Sequence, residues 1–171
     1  MDEKRIKQAE NNFRNYLREG KIKKVNFNQL VFSTYLRNAM ESLNVSNQIF
    51  KLNTSPLWVV VTSYYSMFYI SCAYLYKLGY KTTGQIVHQV INETLIVQAR
   101  HKIKNYLFEN YEEEREKALS VVDNYLDNYS REKSKRASFQ YETTEKIKHS
   151  KAKTSLKRSK EFVQLIREVL I

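Results

Sequence analysis

The sequence predicts an all-α bundle of five to six helices, and three observations carry that expectation. Only three glycines and one proline occur in 171 residues, against roughly twenty at average usage. Sandwiches, barrels and doubly wound sheets need frequent turns of that chemistry, so they are excluded. Apolar residues recur at spacings of three and four along most of the chain, which is the helical period. The few breakers, Gly20, Pro56 and Gly79, fall between those periodic runs, where helices stop or start.

A first helix is expected from about residue 2 to 19, with Ile6, Ala9, Phe13 and Leu17 on one face and Gly20 as its stop. A short basic connector with Lys21, Lys23 and Lys24 follows. The second helix, from about Asn28 to Lys51, places Phe32, Leu36, Met40 and Leu43 on one face. Asn53, Thr54, Ser55 and Pro56 form the clearest boundary, because Ser55 is a good N-cap and proline suits the first helical position. The third helix then runs to about Leu78, apolar nearly all round, and Gly79 ends it. A fourth is expected over Thr83 to Gln98, with Ile86, Val90 and Leu95 inward. Ala118, Val122, Tyr125 and Tyr129 mark a fifth. The last helix has a seam of Ala152, Leu156, Ser159, Val163, Ile166 and Leu170, beside a polar stripe of Lys153, Lys157, Lys160, Gln164 and Arg167. With no internal repeat or low-complexity linker, residues 1–171 read as a single helical domain.

Charge bears on partners. Lys and Arg outnumber Asp and Glu by 29 to 18, a formal charge of +11, and a positive field attracts phosphates and other anions. The distribution is uneven: residues 109–130 hold seven acidic and two basic groups, whereas 131–160 hold eleven basic and three acidic. One cysteine, Cys72, excludes an internal disulfide, and Cys-based zinc sites need more ligands than that. No metal or other cofactor is expected. The opening MDEKRIKQAENNF lacks the apolar stretch of a secretory signal, so a cytoplasmic location is expected. Residues 52–76 carry no charge and are long enough to span a bilayer. Hydroxyls from Thr62 to Tyr76 are spread along that whole run, which suits a packed central helix better than lipid.

Several constellations are candidates for chemistry. Gly79-Tyr80-Lys81-Thr82-Thr83-Gly84 has the glycine spacing of a phosphate-binding loop, but Gln85 and Ile86 stand where Lys and a hydroxyl are needed. His88, His101 and His149 are scattered without metal-ligand spacing; His88 falls near an apolar face, and the other two lie in polar, basic stretches. The acidic run Glu112 to Glu116 reads as an exposed helix start. Arg136 falls on the face of Ala118, Tyr125 and Tyr129 when that helix is extended at 100° per residue. A guanidinium there either pairs with a carboxylate inside the bundle or opens into a groove that takes an anion. Finally, Lys146, Lys153, Lys157 and Lys160 line one side of a helix, either as a solvated face or as a surface for nucleic-acid backbone. No aromatic residues interleave with them in sequence to stack bases.

The run SPLWVVVTSYYSMFYISCAYLYKLGYKT, residues 55–82, resembles the signature helix of HEPN domains: a tyrosine pair, a Met-Phe step, then Gly-Tyr before a Lys-Thr turn. Arg136-Ala137-Ser138-Phe139-Gln140-Tyr141 and a last helix ending KRSKEFVQLIREVLI fit the same pattern. The resemblance covers roughly residues 28–171, with 1–27 as an N-terminal helical extension. It implies an antiparallel up-and-down bundle that pairs into a homodimer. Many HEPN members are metal-independent ribonucleases with an Arg-x4-6-His motif, in which the arginine holds phosphate and the histidine moves protons. Others are non-catalytic partners of minimal nucleotidyltransferases in toxin–antitoxin pairs, or RNA- and nucleotide-binding accessories.

This sequence departs at the decisive place, because Tyr141 stands where the nuclease pattern has its histidine and His149 comes thirteen residues after Arg136. A phenol with an ordinary pKa near ~10 is a poor general base at neutral pH. The position two places beyond, adenylylated on tyrosine in some toxins, is Thr143 here. The resemblance therefore implies a non-catalytic bundle that takes a nucleotide or RNA phosphate on Arg136, Lys133 and Lys135, with Lys146, Lys153, Lys157 and Lys160 alongside. One alternative is a divergent ribonuclease using Arg136 with Tyr141 or His149. Another is a protein-interaction module with a basic face.

Overall fold

A computed structural model describes residues 1–84, 86–134 and 149–170, with side chains described throughout except over 123–134. Among the described residues six helices follow one another: α1 (Glu3–Arg18), α2 (Gln29–Lys51), α3 (Pro56–Lys77), α4 (Val87–Ala99), α5 (Asn105–Ser134) and α6 (His149–Leu170). The chain is an all-α bundle. Two three-residue strands interrupt it, β1 (Ile22–Lys24) and β2 (Tyr80–Thr82).

Local chemistry explains the helix ends. Asp2 caps α1 by accepting from the Arg5 amide at 2.7 Å, and Asn28 caps α2 by accepting from Leu30 and Val31. Ser55 caps α3 ahead of Pro56 at its first position. Such side-chain oxygens satisfy amides that have no partner inside the helix. Past the C-terminus of α3, Gly79 takes a φ of 84°, open to glycine without strain.

α3 is the axis. Fifteen of its 22 residues are buried, so it needs neighbours on nearly every side. α2 packs antiparallel to it, as shown by Ser46 meeting Ser63 and Tyr35 meeting Tyr76. α6 runs parallel to it, with Ala152 and Leu156 against Val59 and Val60 at one end and Lys77 reaching the Leu170 carbonyl at the other. α5 opposes α6, pairing Tyr111 with Phe162 and Tyr106 with Glu161. Chain direction thus alternates through α2, α3, α5 and α6, the up-and-down order. The buried serine hydroxyls of α3, on Ser63, Ser66 and Ser71, are all paired, and no helix among the described residues is long and apolar enough to cross a membrane.

The basic connector forms β1, which pairs antiparallel with β2 through Ile22↔Thr82, Lys23↔Lys81 and Lys24↔Tyr80. The Gly79–Gly84 segment is therefore the second strand of a two-stranded clasp. Helix α4 starts at Val87 rather than Thr83, because Thr83 bonds back to Lys21 and Gly20 and Gly84 takes a φ of 94°. Ile86 is exposed, not inward, and Met40 is also exposed, whereas Val90 and Leu95 are buried as expected.

α1 places Ala9 in the main core and sends Arg5 to a carboxylate pair. The guanidinium grips Glu93 of α4 with two bonds of 2.8 Å and Glu112 of α5 through Nε at 3.1 Å. Glu93 is almost fully buried and Arg5 is its one cation among the described residues. Burial alone disfavours the Arg5 charge, but the two carboxylates outweigh it and hold its pKa above the ordinary value. Arg5→Met should cost about 3–5 kcal/mol in urea unfolding, because it strands a buried carboxylate. The double variant Arg5→Met/Glu93→Met should recover most of that loss. Removing the exposed Arg37–Glu41 pair should change stability by under about 0.5 kcal/mol.

Candidate functional site

The lysine stripe is where the helical period puts it. Lys153, Lys157, Lys160, Gln164 and Arg167 are all exposed on α6, while Ala152, Leu156, Ser159, Val163, Ile166 and Leu170 are buried behind them. The stripe borders α2: Lys160 Nζ donates to Asn47 Oδ1 at 2.8 Å, and Arg167 reaches the Met40 sulfur. At the head of α6, His149 stacks on Phe50 with centroids 4.6 Å apart. Trp58 is exposed on the first turn of α3, next to the valines that pack on Ala152 and Leu156. An aromatic group absent from the lysine stripe in sequence is thus supplied by α2, whose Phe50 meets His149. Lys133 lies in the last turn of α5. Lys135, Arg136, Tyr141 and Lys146 lie outside the described residues.

The acidic run is not an exposed helix start. It lies inside α5, and Glu114 is fully buried. Ser155 donates to one Glu114 oxygen, and Arg158 and Lys117 reach the other at 2.8 and 3.1 Å. Glu113 is held below the ordinary carboxylate range, chiefly by its hydrogen bond to Lys117 and further by Arg158. The missed signal is the α5 stripe continued backwards: from Ala118 a step of four reaches Glu114, and a further three reaches Tyr111.

A second polar cluster sits between α3, α4 and α5. Tyr64 Oη and His88 Nδ1 are 2.7 Å apart, and the His88 ring packs at 4.5 Å from Phe68 and edge-on to Tyr65. Tyr111 is fully buried with its ring beside Tyr64, and Arg115 follows one turn later on the same α5 face. His88 and Asn92 likewise share a face of α4, and Asn92 Nδ2 donates to Glu112 at 2.8 Å. Burial pushes the Tyr64 and Tyr111 phenols well above their ordinary range, so both stay protonated at neutral pH. Burial, with help from the Arg115 charge, pulls the His88 imidazole down.

The chain matches no family model, and no curated protein matches it.

What this geometry can do follows from its charges. The α6 stripe can neutralise a row of anionic groups without selecting among bases. The inner cluster holds a half-buried imidazole and two neutral phenols, with the Arg115 guanidinium one turn beyond Tyr111. Its pH response has a definite sign. Because the folded pKa of His88 lies below the unfolded value near ~6.5, His88 contributes stability that is complete above that value and lost as pH falls towards the depressed folded pKa. Melting curves from pH 7 to 5 should therefore show wild type losing stability faster than His88→Gln. Parallel losses would mean that His88 titrates normally.

Proposed function

We propose that this chain is a non-catalytic helical bundle that binds RNA through its phosphate backbone, with the α6 lysine stripe as the main binding surface. The observation that carries the reading is the alignment of Lys153, Lys157 and Lys160 along one open face, with the stacked pair Phe50–His149 at its head. Lysines at that spacing can follow a phosphate strand, and the exposed His149 ring, backed by Phe50, offers stacking to unpaired bases. The net charge of +11 adds long-range attraction. Arg136, Lys133 and Lys135 belong to the same reading, as additional phosphate ligands that the HEPN resemblance suggests. That resemblance also supports a homodimer and a minimal nucleotidyltransferase as protein partner, in a cytoplasmic setting.

The test is binding and integrity of labelled total RNA, with protein washed at high salt and EDTA present. Wild type should bind and leave the RNA intact. Lys153→Gln/Lys157→Gln/Lys160→Gln should bind weakly, and its salt dependence should flatten by about 2 in log–log slope, since each lysine that neutralises a single-strand phosphate accounts for roughly 0.7. An unchanged slope would remove the α6 face from the proposal. Cleavage that disappears in Arg136→Ala would replace this reading with the ribonuclease one, with Tyr141 and His149 as the next targets.

A further inference from the structure

Residues 20–40 and 77–92 hold six Lys or Arg and no Asp or Glu. These two stretches contain both strands of the clasp. In its ladder Lys23 stands directly opposite Lys81, and both are exposed. The Thr83 N–H donates to the Lys21 carbonyl and the Val25 N–H to the Gly79 carbonyl, each at 2.9 Å, so the register is held at both ends. Like charges placed directly opposite one another destabilise a strand pair. Among the described residues, Lys21 alone of the clasp lysines meets a carboxylate, Glu19 at 2.6 Å.

A cavity of about 410 Å³ adjoins the ladder, lined by Lys24, Val25, Asn26, Leu78, Gly79 and Tyr80. Small-ligand pockets have this size. Val25 and Leu78 give it apolar wall, Lys24 a cation, and Asn26 an amide that can both donate and accept. Lys77 connects this place to the α6 face. Its side chain is exposed, its Nζ donates to the Leu170 carbonyl at the end of α6, and the next residue, Leu78, stands in the cavity wall. Arg167, the last cation of the α6 stripe, precedes Leu170 by about one turn. The cations of α6 thus lead through Lys77 to Lys24 and on to the opposed pair Lys23 and Lys81.

We propose that the clasp is a second phosphate-binding surface for the same RNA, an inference that rests on the α6 reading above. The strand leaves α6 past Arg167 and Lys77, and its phosphates then meet Lys24, Lys23 and Lys81. The cavity takes one unstacked base between Leu78 and Asn26. A phosphate held by Lys23 and Lys81 together removes the repulsion that the ladder imposes on them. Two surfaces engaged by one strand act through effective concentration, so affinity depends on whether the strand is long enough to reach both.

The test is binding of labelled oligouridylate in lengths from about 4 to about 16 nucleotides. Wild type runs beside the clasp variant Lys23→Gln/Lys24→Gln/Lys81→Gln and the α6 variant Lys153→Gln/Lys157→Gln/Lys160→Gln. The clasp variant should match wild type on the shortest strands and bind the longest roughly tenfold more weakly, with a salt slope lower by about 2 on those alone. Its melting temperature should equal or exceed that of wild type, because an opposed charge pair is gone. Equal affinity of wild type and clasp variant at every length would overturn the second surface, and the lysines would then serve only to keep the strand edges from pairing with other chains. An equal loss at every length would also overturn it, since the clasp would not be a continuation of α6. Unchanged RNA affinity with loss of a co-purifying acidic protein would assign the surface to a protein instead. An α6 variant that binds every length as wild type does would remove both readings, whereas an unaffected clasp variant beside a weakened α6 variant would remove this one alone.

Discussion

Burial of α3 on nearly every side is the constraint on which the rest of the bundle depends. A helix with one polar face needs one or two neighbours, whereas one buried at fifteen of 22 positions needs a ring of them. α2, α5 and α6 supply most of that ring, and α4 closes part of the remainder. The difficulty is that α3 carries many hydroxyls, each costly to bury without a partner. Ser46 and Ser63 solve this across the α2–α3 seam at 2.7 Å, while Ser66 and Ser71 turn back onto carbonyls of their own helix. Tyr74 reaches the Gln98 carbonyl and Tyr64 reaches His88. The bonds of Ser63, Tyr64 and Tyr74 fix which residues of the neighbours face α3, so satisfying these hydroxyls also sets the register of the bundle.

Charge ties the outer helices to this axis. Arg5 joins α1 to α4 and α5 at one level, and Glu114 joins α5 to α6 at another through Ser155 and Arg158. Both lie where a purely apolar seam would also have packed. Ion pairs of this kind add little net stability over apolar residues of the same shape, but they penalise any arrangement that separates the partners. They therefore select one stacking of helices among several of similar apolar content.

Legibility followed the strength of local chemistry. The end of α3 could be read because Ser55-Pro56 and Gly79 each act through their own backbone, and the α6 seam could be read because Ala152 to Leu170 keep an unbroken period. β1 and β2 escaped because three residues are too few to show alternation, and their pairing joins positions some sixty residues apart. The late start of α4 has a related origin, since Thr83 is tied by two bonds to the distant Gly20–Lys21 turn and so cannot open the helix. The inward turn of Glu112 and Glu114 escaped for a different reason. Six charged residues in a row look solvated when taken singly, and only the cations that meet them, Arg5 and Arg158 from distant helices, make burial tolerable.

The anion-binding surface proposed for this bundle works by number and spacing rather than by any one strong contact. Lysines on the open face of α6 stand in water, where each interaction is weak and screened over about 8–10 Å at ordinary salt. Such a row suits a long polyanion better than a single group, because each phosphate neutralised along a strand adds to the next. The seam of Ala152 to Leu170 keeps the lysines in line, since the period that buries one face of α6 also spaces the charges on the other.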